Sequence, residues 1–259
     1  MATVNLGGIV SFSTIDWRGK AAMVIFLSGC PLRCIYCQNS QLLEEANSVD
    51  AEEIEAEITK SKDFIDAVVL SGGEPFMQPH AVEAIARFAK KHALLVAAQT
   101  CGFYPSVVES MLKKNLIDKI FLDIKAPLAD EKLYEGIARA SGVAERVKST
   151  LEVCIRSDID LEIVTTVFKN FVGLEEVKRI AVEFEEAGAA DSPFVIQQGR
   201  PELVPEGVIR GADAFSHEEL KGLAFGAYQT AHLKEVRIRT REAGEEVIYG
   251  GTKDGKRFS

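Results

Sequence analysis

Basic residues are in short supply. Thirty lysines and arginines face 39 aspartates and glutamates, for a formal net charge of −9. The basic stripe that broad nucleic-acid binding requires is missing, although a local basic pocket is not excluded. No apolar run is long enough to cross a bilayer. The opening residues, Met1-Ala2-Thr3-Val4-Asn5, lack a basic n-region and an apolar h-region, so the chain reads as soluble, cytoplasmic and not secreted. Cysteine is also scarce. Of five, three lie within eight residues, and Cys101 and Cys154 stand alone. That is too few and too clustered for a disulfide framework, and it points to metal binding or redox chemistry. His80, His92, His217 and His232 show no metal-ligand spacing. Gly7-Gly8 is not followed by a helix with Lys-Ser or Lys-Thr, so it is a turn and not a phosphate loop.

Apolar residues are plentiful, at 47% of the 259, enough for a sizeable core. They fall into short, nearly continuous runs that suit strands buried on both faces. Such runs occupy Ala22 to Ser28, Ala67 to Ser71, Leu94 to Ala98, Ile120 to Leu122, Leu161 to Val167 and Phe194 to Ile196. An entry strand is read at Ile9 to Thr14, and a closing strand pair at Val236 to Thr240 and Glu246 to Tyr249. Helical patterns lie between. Asp50 and Glu53 have capping-box spacing, as do Ser216 and Glu219. Pro105 suits a first helical position, and Gly188 a stop. A weaker pattern covers Val143 to Ile155. Strand–helix alternation repeated about six times predicts an α/β fold, a parallel sheet with helical crossovers forming a partial (βα)6 TIM-like barrel. With no long linker or repeat, the expectation is one domain over 1–259, with a core of about 15–200 and a C-terminal helix and strand pair at about 201–251. The last residues, Thr252 to Ser259, read as a polar, frayed end.

In such folds ligands sit at the C-terminal ends of the strands. Those ends carry Cys30, Gly72-Gly73-Glu74, Gln99-Thr100, Asp123-Ile124-Lys125, Thr165-Thr166 and Gln197-Gln198. Cys30, Cys34 and Cys37 have the spacing C-x3-C-x2-C. Iron–sulfur clusters normally take four cysteines, so three leave one iron open to a ligand, by the logic that separates catalytic from structural zinc sites. A zinc site would need a fourth ligand nearby. An electron-transfer cluster would need Cys101 or Cys154.

These segments resemble a known family. C-x3-C-x2-C after the first core strand, with Tyr36 before the last cysteine, looks like the radical S-adenosylmethionine superfamily. The stretch from Ile15-Asp16-Trp17-Arg18-Gly19 to Cys37-Gln38-Asn39 is similar to activating enzymes of glycyl-radical proteins, in particular anaerobic ribonucleoside-triphosphate reductase activating proteins and pyruvate formate-lyase activating enzymes. The likeness continues through Ser71-Gly72-Gly73-Glu74-Pro75, Asp123-Ile124-Lys125-Ala126-Pro127, Thr165-Thr166-Val167 and Gln197-Gln198-Gly199-Arg200-Pro201.

The resemblance implies an oxidoreductase with one 4Fe-4S cluster on Cys30, Cys34 and Cys37. It would reductively cleave S-adenosylmethionine to a 5′-deoxyadenosyl radical, which takes a glycine hydrogen from a glycyl-radical partner protein. Flavodoxin or ferredoxin would donate the electron. Neither a membrane nor a nucleic acid is expected as partner. The same resemblance assigns Tyr36, Gly72, Gly73, Glu74, Thr100, Asp123, Lys125, Thr165 and Gln198 to cofactor binding, with a monovalent cation beside Thr100 and Asp123. Glu74 has a second reading as a loop anchor, and Asp123 with Lys125 as an ordering ion pair. Two positions depart from the pattern. Gln99 stands where relatives carry an acidic residue, and Val164 where they place an arginine. The competing functions are a radical enzyme acting on a small molecule or RNA, and a non-enzymatic iron–sulfur electron carrier.

Overall fold

The computed structural model describes residues 2–44, 47–205 and 209–250. The expected frayed end, Thr252 to Ser259, lies outside them. In chain order the elements are β1 (Thr3–Ser13), β2 (Ala22–Leu27), β3 (Ser48–Asp50), α1 (Ala51–Ser61), β4 (Ala67–Gly72), α2 (Pro79–Lys91), β5 (Leu95–Thr100), α3 (Pro105–Lys113) and β6 (Lys119–Asp123). Then come α4 (Glu131–Ala138), α5 (Val143–Arg156), β7 (Asp160–Val167), α6 (Leu174–Ala187), β8 (Phe194–Gln198), α7 (His217–Thr230), β9 (Glu235–Thr240) and β10 (Gly244–Gly250). The architecture is a mostly parallel sheet with helical crossovers. The chain divides into two compact units.

The first unit comprises Met1–Arg33, Asn39–Leu122 and Ser149–Asp160. Its strands run in the order β3-β1-β2-β4-β5-β6, with β2, β4, β5 and β6 parallel and β1 antiparallel to β2 and β3. The apolar runs bury both faces, as a parallel sheet demands. Trp17, Ala22, Val24, Ala67, Val69, Ala97 and Phe121 form one cluster, in which the Trp17 and Phe121 rings meet edge to face. Local signals hold where expected. The Asp50 N–H donates to Glu53 at 3.3 Å, completing the capping box of α1, and Pro105 opens α3.

The second unit comprises Cys34–Gln38, Asp123–Lys148 and Leu161–Ser259. Here β7, β8 and β9 are parallel and β10 folds back on β9. Phe184 of α6 meets Phe194 of β8 edge to face at 5.2 Å, so the row Ile163–Phe194–Val236 faces the helices. The alternate rows, Val164–Val195–Arg237 and Thr166–Gln197–Arg239, lie on the opposite face, since strand side chains alternate. Gly188 ends α6 in the left-handed conformation at φ 85°. Ser216 and Glu219 cap α7 reciprocally.

Candidate active site

In the first unit the turn after β2 is bonded on every side. The Ser28 N–H donates to Asn5 O at 2.9 Å and the Gly29 N–H to Leu42 O at 2.8 Å. The Gln78 carboxamide donates to both Asn5 O and Ser28 O at 3.0 Å. Arg33 Nη1 donates to the Cys30 carbonyl at 2.7 Å. Cys30 is thus presented by a fixed backbone. The Gly72-Gly73 pair lets the end of β4 touch this turn. Gly72 sits at φ +118°, and a Cβ on it would strike Leu27 backbone, while a Cβ on Gly73 would strike the Gly29 carbonyl oxygen. The Gly73 N–H donates to Leu27 O, and the Glu74 N–H to Gly29 O, each at 2.8 Å.

Glu74 is completely buried, yet its carboxylate is fully engaged. Thr100 Oγ1 donates to its two oxygens at 2.9 and 3.0 Å, the Cys101 N–H donates at 2.8 Å and the Phe76 N–H at 3.0 Å. Burial raises the Glu74 carboxyl above its ordinary value, against the pull of the Cys101 thiol and these N–H and O–H donors. Glu74 thereby ties the end of β5 to the loop that follows β4. The Cys101 thiol is pushed well above the usual thiol range, first by its hydrogen bond with Cys30, then by burial and the Glu74 charge. Burial pushes the Cys154 thiol up to about 12. Gln99, the departure from an acidic residue, accepts a 2.5 Å bond from Ser71 Oγ.

In the second unit the Cys34–Gln38 segment is tied at its start, where the Ile35 N–H donates to Ile137 O at 3.0 Å. The Tyr36 ring lies against Phe168 at 5.2 Å, and its hydroxyl donates to Lys125 O at 3.3 Å. The Lys125 ammonium pairs with Asp123 Oδ2. Burial alone would lower the Lys125 pKa, but Asp123, Cys34, Tyr36 and Tyr134 outweigh it and raise it well above the lysine value. The ion-pair reading of Asp123 and Lys125 is thereby realised, and one carboxylate oxygen remains. That atom, Asp123 Oδ1, is buried without a partner, as is the Thr165 hydroxyl oxygen.

Sequence reasoning chose Thr165 and Gln198 at their strand ends. Thr165 shares the helix-side row with Ile196 and Ile238. The Gln198 carboxamide is spent on loops, donating to Phe215 O at 2.8 Å and accepting from the Arg241 N–H at 3.0 Å. Their neighbours Thr166 and Gln197, passed over, occupy the face away from the helices. Strand alternation could have revealed this, had an aromatic contact fixed the phase.

The residues fit the cofactor pair that the sequence implies. Within the second unit, the buried, unpartnered Asp123 Oδ1 is a polar atom that a ligand would satisfy. Among the described residues no three His, Cys, Asp or Glu side chains converge on a single metal ion.

Comparison with known proteins agrees. The radical SAM superfamily description matches residues 24–184, and the chain therefore belongs to that superfamily, whose members use one 4Fe-4S cluster and S-adenosylmethionine. A Methanocaldococcus jannaschii protein assigned as a glycyl-radical enzyme activating enzyme is 32% identical over 91% of this chain and 95% of that protein. The pyruvate formate-lyase-activating enzyme of Clostridium pasteurianum is 31% identical over 48% of this chain and 54% of its own length. Within the superfamily, the chain's place is among the glycyl-radical enzyme activating enzymes. Solved structures show the same fold. A radical SAM methyltransferase from Sphaerobacter thermophilus superposes with a TM-score of 0.66 at 13% identity, over 84% of this chain and 67% of that one. Streptococcus suis SuiB, bound to its precursor peptide SuiA, gives 0.67 at 17% identity over 84% and 48%. No helix of the described residues is long and apolar enough to cross a membrane.

Proposed function

We propose that Cys30, Cys34 and Cys37 hold the cluster, and that the chain activates a partner protein by removing a hydrogen from a glycine Cα. The C-x3-C-x2-C spacing of the three cysteines carries this reading. Cys101 is held from its backbone, where its N–H donates to the Glu74 carboxylate, and Cys154 is buried in the core. When bound, the cluster and S-adenosylmethionine supply one-electron cleavage of the sulfonium, yielding methionine and a 5′-deoxyadenosyl radical.

The chain's own residues fix the geometry. Gly72 and Gly73 bring backbone carbonyls to the methionyl ammonium. Asp123 Oδ1 adds a charged acceptor, or a ligand for a monovalent cation. Thr100 serves indirectly, by locking Glu74 and with it the Cys30 turn. The Tyr36 ring, braced on Phe168, holds the second half of the cysteine loop. A flavodoxin or ferredoxin is the proposed electron source. The test is electron paramagnetic resonance on the reduced, reconstituted chain mixed with S-adenosylmethionine and a glycyl-radical protein. A carbon-centred doublet that collapses when the target glycine is α-deuterated supports the reading. 5′-Deoxyadenosine release with no protein radical counts against it.

A further inference from the structure

On the face of the second unit's sheet turned away from α6 and α7, three side chains form a hydrogen-bonded row. Arg239 Nη1 donates to Gln197 Oε1 at 3.1 Å, and Gln197 Nε2 donates to Thr166 Oγ1 at 3.3 Å. The row follows strand register, with Thr166 opposite Gln197 and Gln197 opposite Arg239. It lies toward the C-terminal ends of β7, β8 and β9, where parallel α/β sheets bind ligands.

Donor arithmetic fixes what the row offers. A guanidinium has no acceptor, so the amide oxygen of Gln197 must face Arg239 and its NH2 must face away. One N–H of that NH2 goes to Thr166. The other, together with the Thr166 hydroxyl hydrogen, makes no bond among the described residues. Two donors on adjacent strands are therefore left without a protein acceptor among the described residues. Arg239 cannot swing to meet a ligand, because Glu162 and Glu245 hold it at 3.0 and 2.6 Å. Arg237 is likewise held by Glu235, Glu162 and Glu245. Two arginines against three glutamates leave the surroundings without positive charge, so a carboxylate or phosphate gains nothing here. The pair suits a neutral acceptor.

We propose that Thr166 and Gln197 form a paired donor site for a main-chain carbonyl of the partner's glycine-bearing segment, with Arg239 as the positioning residue that fixes the amide. This rests on the activase reading. An extended segment carrying its target on the backbone must be held by its backbone, and a carbonyl clamp does so whatever the flanking side chains are. Register on the target follows, since abstraction needs near-attack geometry.

The probe is a blocked pentapeptide, acetyl-Ala-Ala-Gly-Ala-Ala-amide, deuterated at the glycine α carbon. Deuterium in the released 5′-deoxyadenosine is measured against peptide concentration, and S-adenosylmethionine affinity is measured by equilibrium binding. In Gln197→Glu the donor becomes an acceptor of the same shape. The peptide KM should rise about tenfold, the loss of one such bond, with a smaller change in kcat. Thr166→Val should raise KM severalfold, and Arg239→Lys should do so through Gln197, adding little to the Gln197→Glu effect. Unchanged KM in both Gln197→Glu and Thr166→Val would overturn the proposal. So would a parallel loss of S-adenosylmethionine affinity, which would make the row a cofactor contact. If the wild-type chain transfers no deuterium while it cleaves S-adenosylmethionine, the activase reading itself falls, and the carbonyl site with it.

Discussion

Glu74 and Cys101 are joined twice over. The Cys101 N–H donates to the Glu74 carboxylate at 2.8 Å, and the Cys101 thiol bonds the same carboxylate. Because the Glu74 N–H also holds Gly29 O, one residue ties the end of β5 to the turn that presents Cys30. Glu74→Ala leaves the Cys101 and Phe76 N–H groups buried without acceptors, at about 1–3 kcal/mol each. We expect a clear drop in melting temperature of the apoprotein and loss of iron on gel filtration. Glu74→Gln keeps one acceptor and should lose roughly half as much. A variant that melts like wild type yet binds S-adenosylmethionine poorly would make Glu74 a direct cofactor contact.

Gly73 is the second link between these loops. A bulky side chain there reads from sequence as weakening cofactor binding while sparing the cluster. The structure changes that expectation, since even a Cβ meets the Gly29 carbonyl oxygen beside Cys30. Gly73→Ala should therefore lower both S-adenosylmethionine affinity and iron retention. Full iron content with weakened cofactor binding would show that the turn yields without disturbing Cys30.

Asp123 has two oxygens with different duties. Oδ2 pairs with Lys125, which is only 10% exposed, and Oδ1 has no partner. Asp123→Ala strands a buried ammonium, a loss on the order of 3–5 kcal/mol, so its effect on cleavage cannot be separated from folding. Asp123→Asn keeps an acceptor for Lys125 and should cost less stability. Its amide cannot supply the second charged oxygen, so S-adenosylmethionine affinity should fall at least tenfold. Equal affinity in the Asn variant, measured with and without potassium, would remove both the direct contact and the cation.

Much of the fold was legible because parallel strands buried on both faces are written as continuous apolar runs. Ala22–Leu27 and Ala67–Gly72 emerge within a residue or two of their expected limits. Two elements were not foreseen. Strand β3 has three residues and exists only by pairing with Thr3–Asn5, a partner more than 40 residues away. Helix α4 contains Gly136 and has only eight residues, too few for a periodic signal. Its Asp130 cap bonds the Leu133 N–H at 3.1 Å. The cysteines were legible as a local motif. The side-chain roles at the strand ends were not, because whether Thr165 or Thr166 faces a ligand depends on which side α6 packs.

Tyr36 offers a smaller test. Its ring is buried against Phe168 and its hydroxyl holds the Lys125 carbonyl. Burial chiefly raises its pKa, so it stays neutral. Tyr36→Phe should cost about 1 kcal/mol in thermal unfolding and keep the cluster. Tyr36→Ala should cost about 3–5 kcal/mol and lose iron as the Cys34–Gln38 segment loosens. Normal iron in the Ala variant would show that the ring does not brace that segment.

The central claim is that three cysteines leave one iron open to S-adenosylmethionine. Product analysis on anaerobically reconstituted, reduced protein tests it most directly, comparing wild type with Cys30→Ala, Cys34→Ala, Cys37→Ala and Cys101→Ala. The account predicts methionine and 5′-deoxyadenosine in equal amounts from wild type and from Cys101→Ala, each holding about four irons per chain, and neither product from the other three. Loss of the cluster in Cys101→Ala, with no cleavage by the wild-type chain, would mean that four thiolates close the cluster, and would contradict the account.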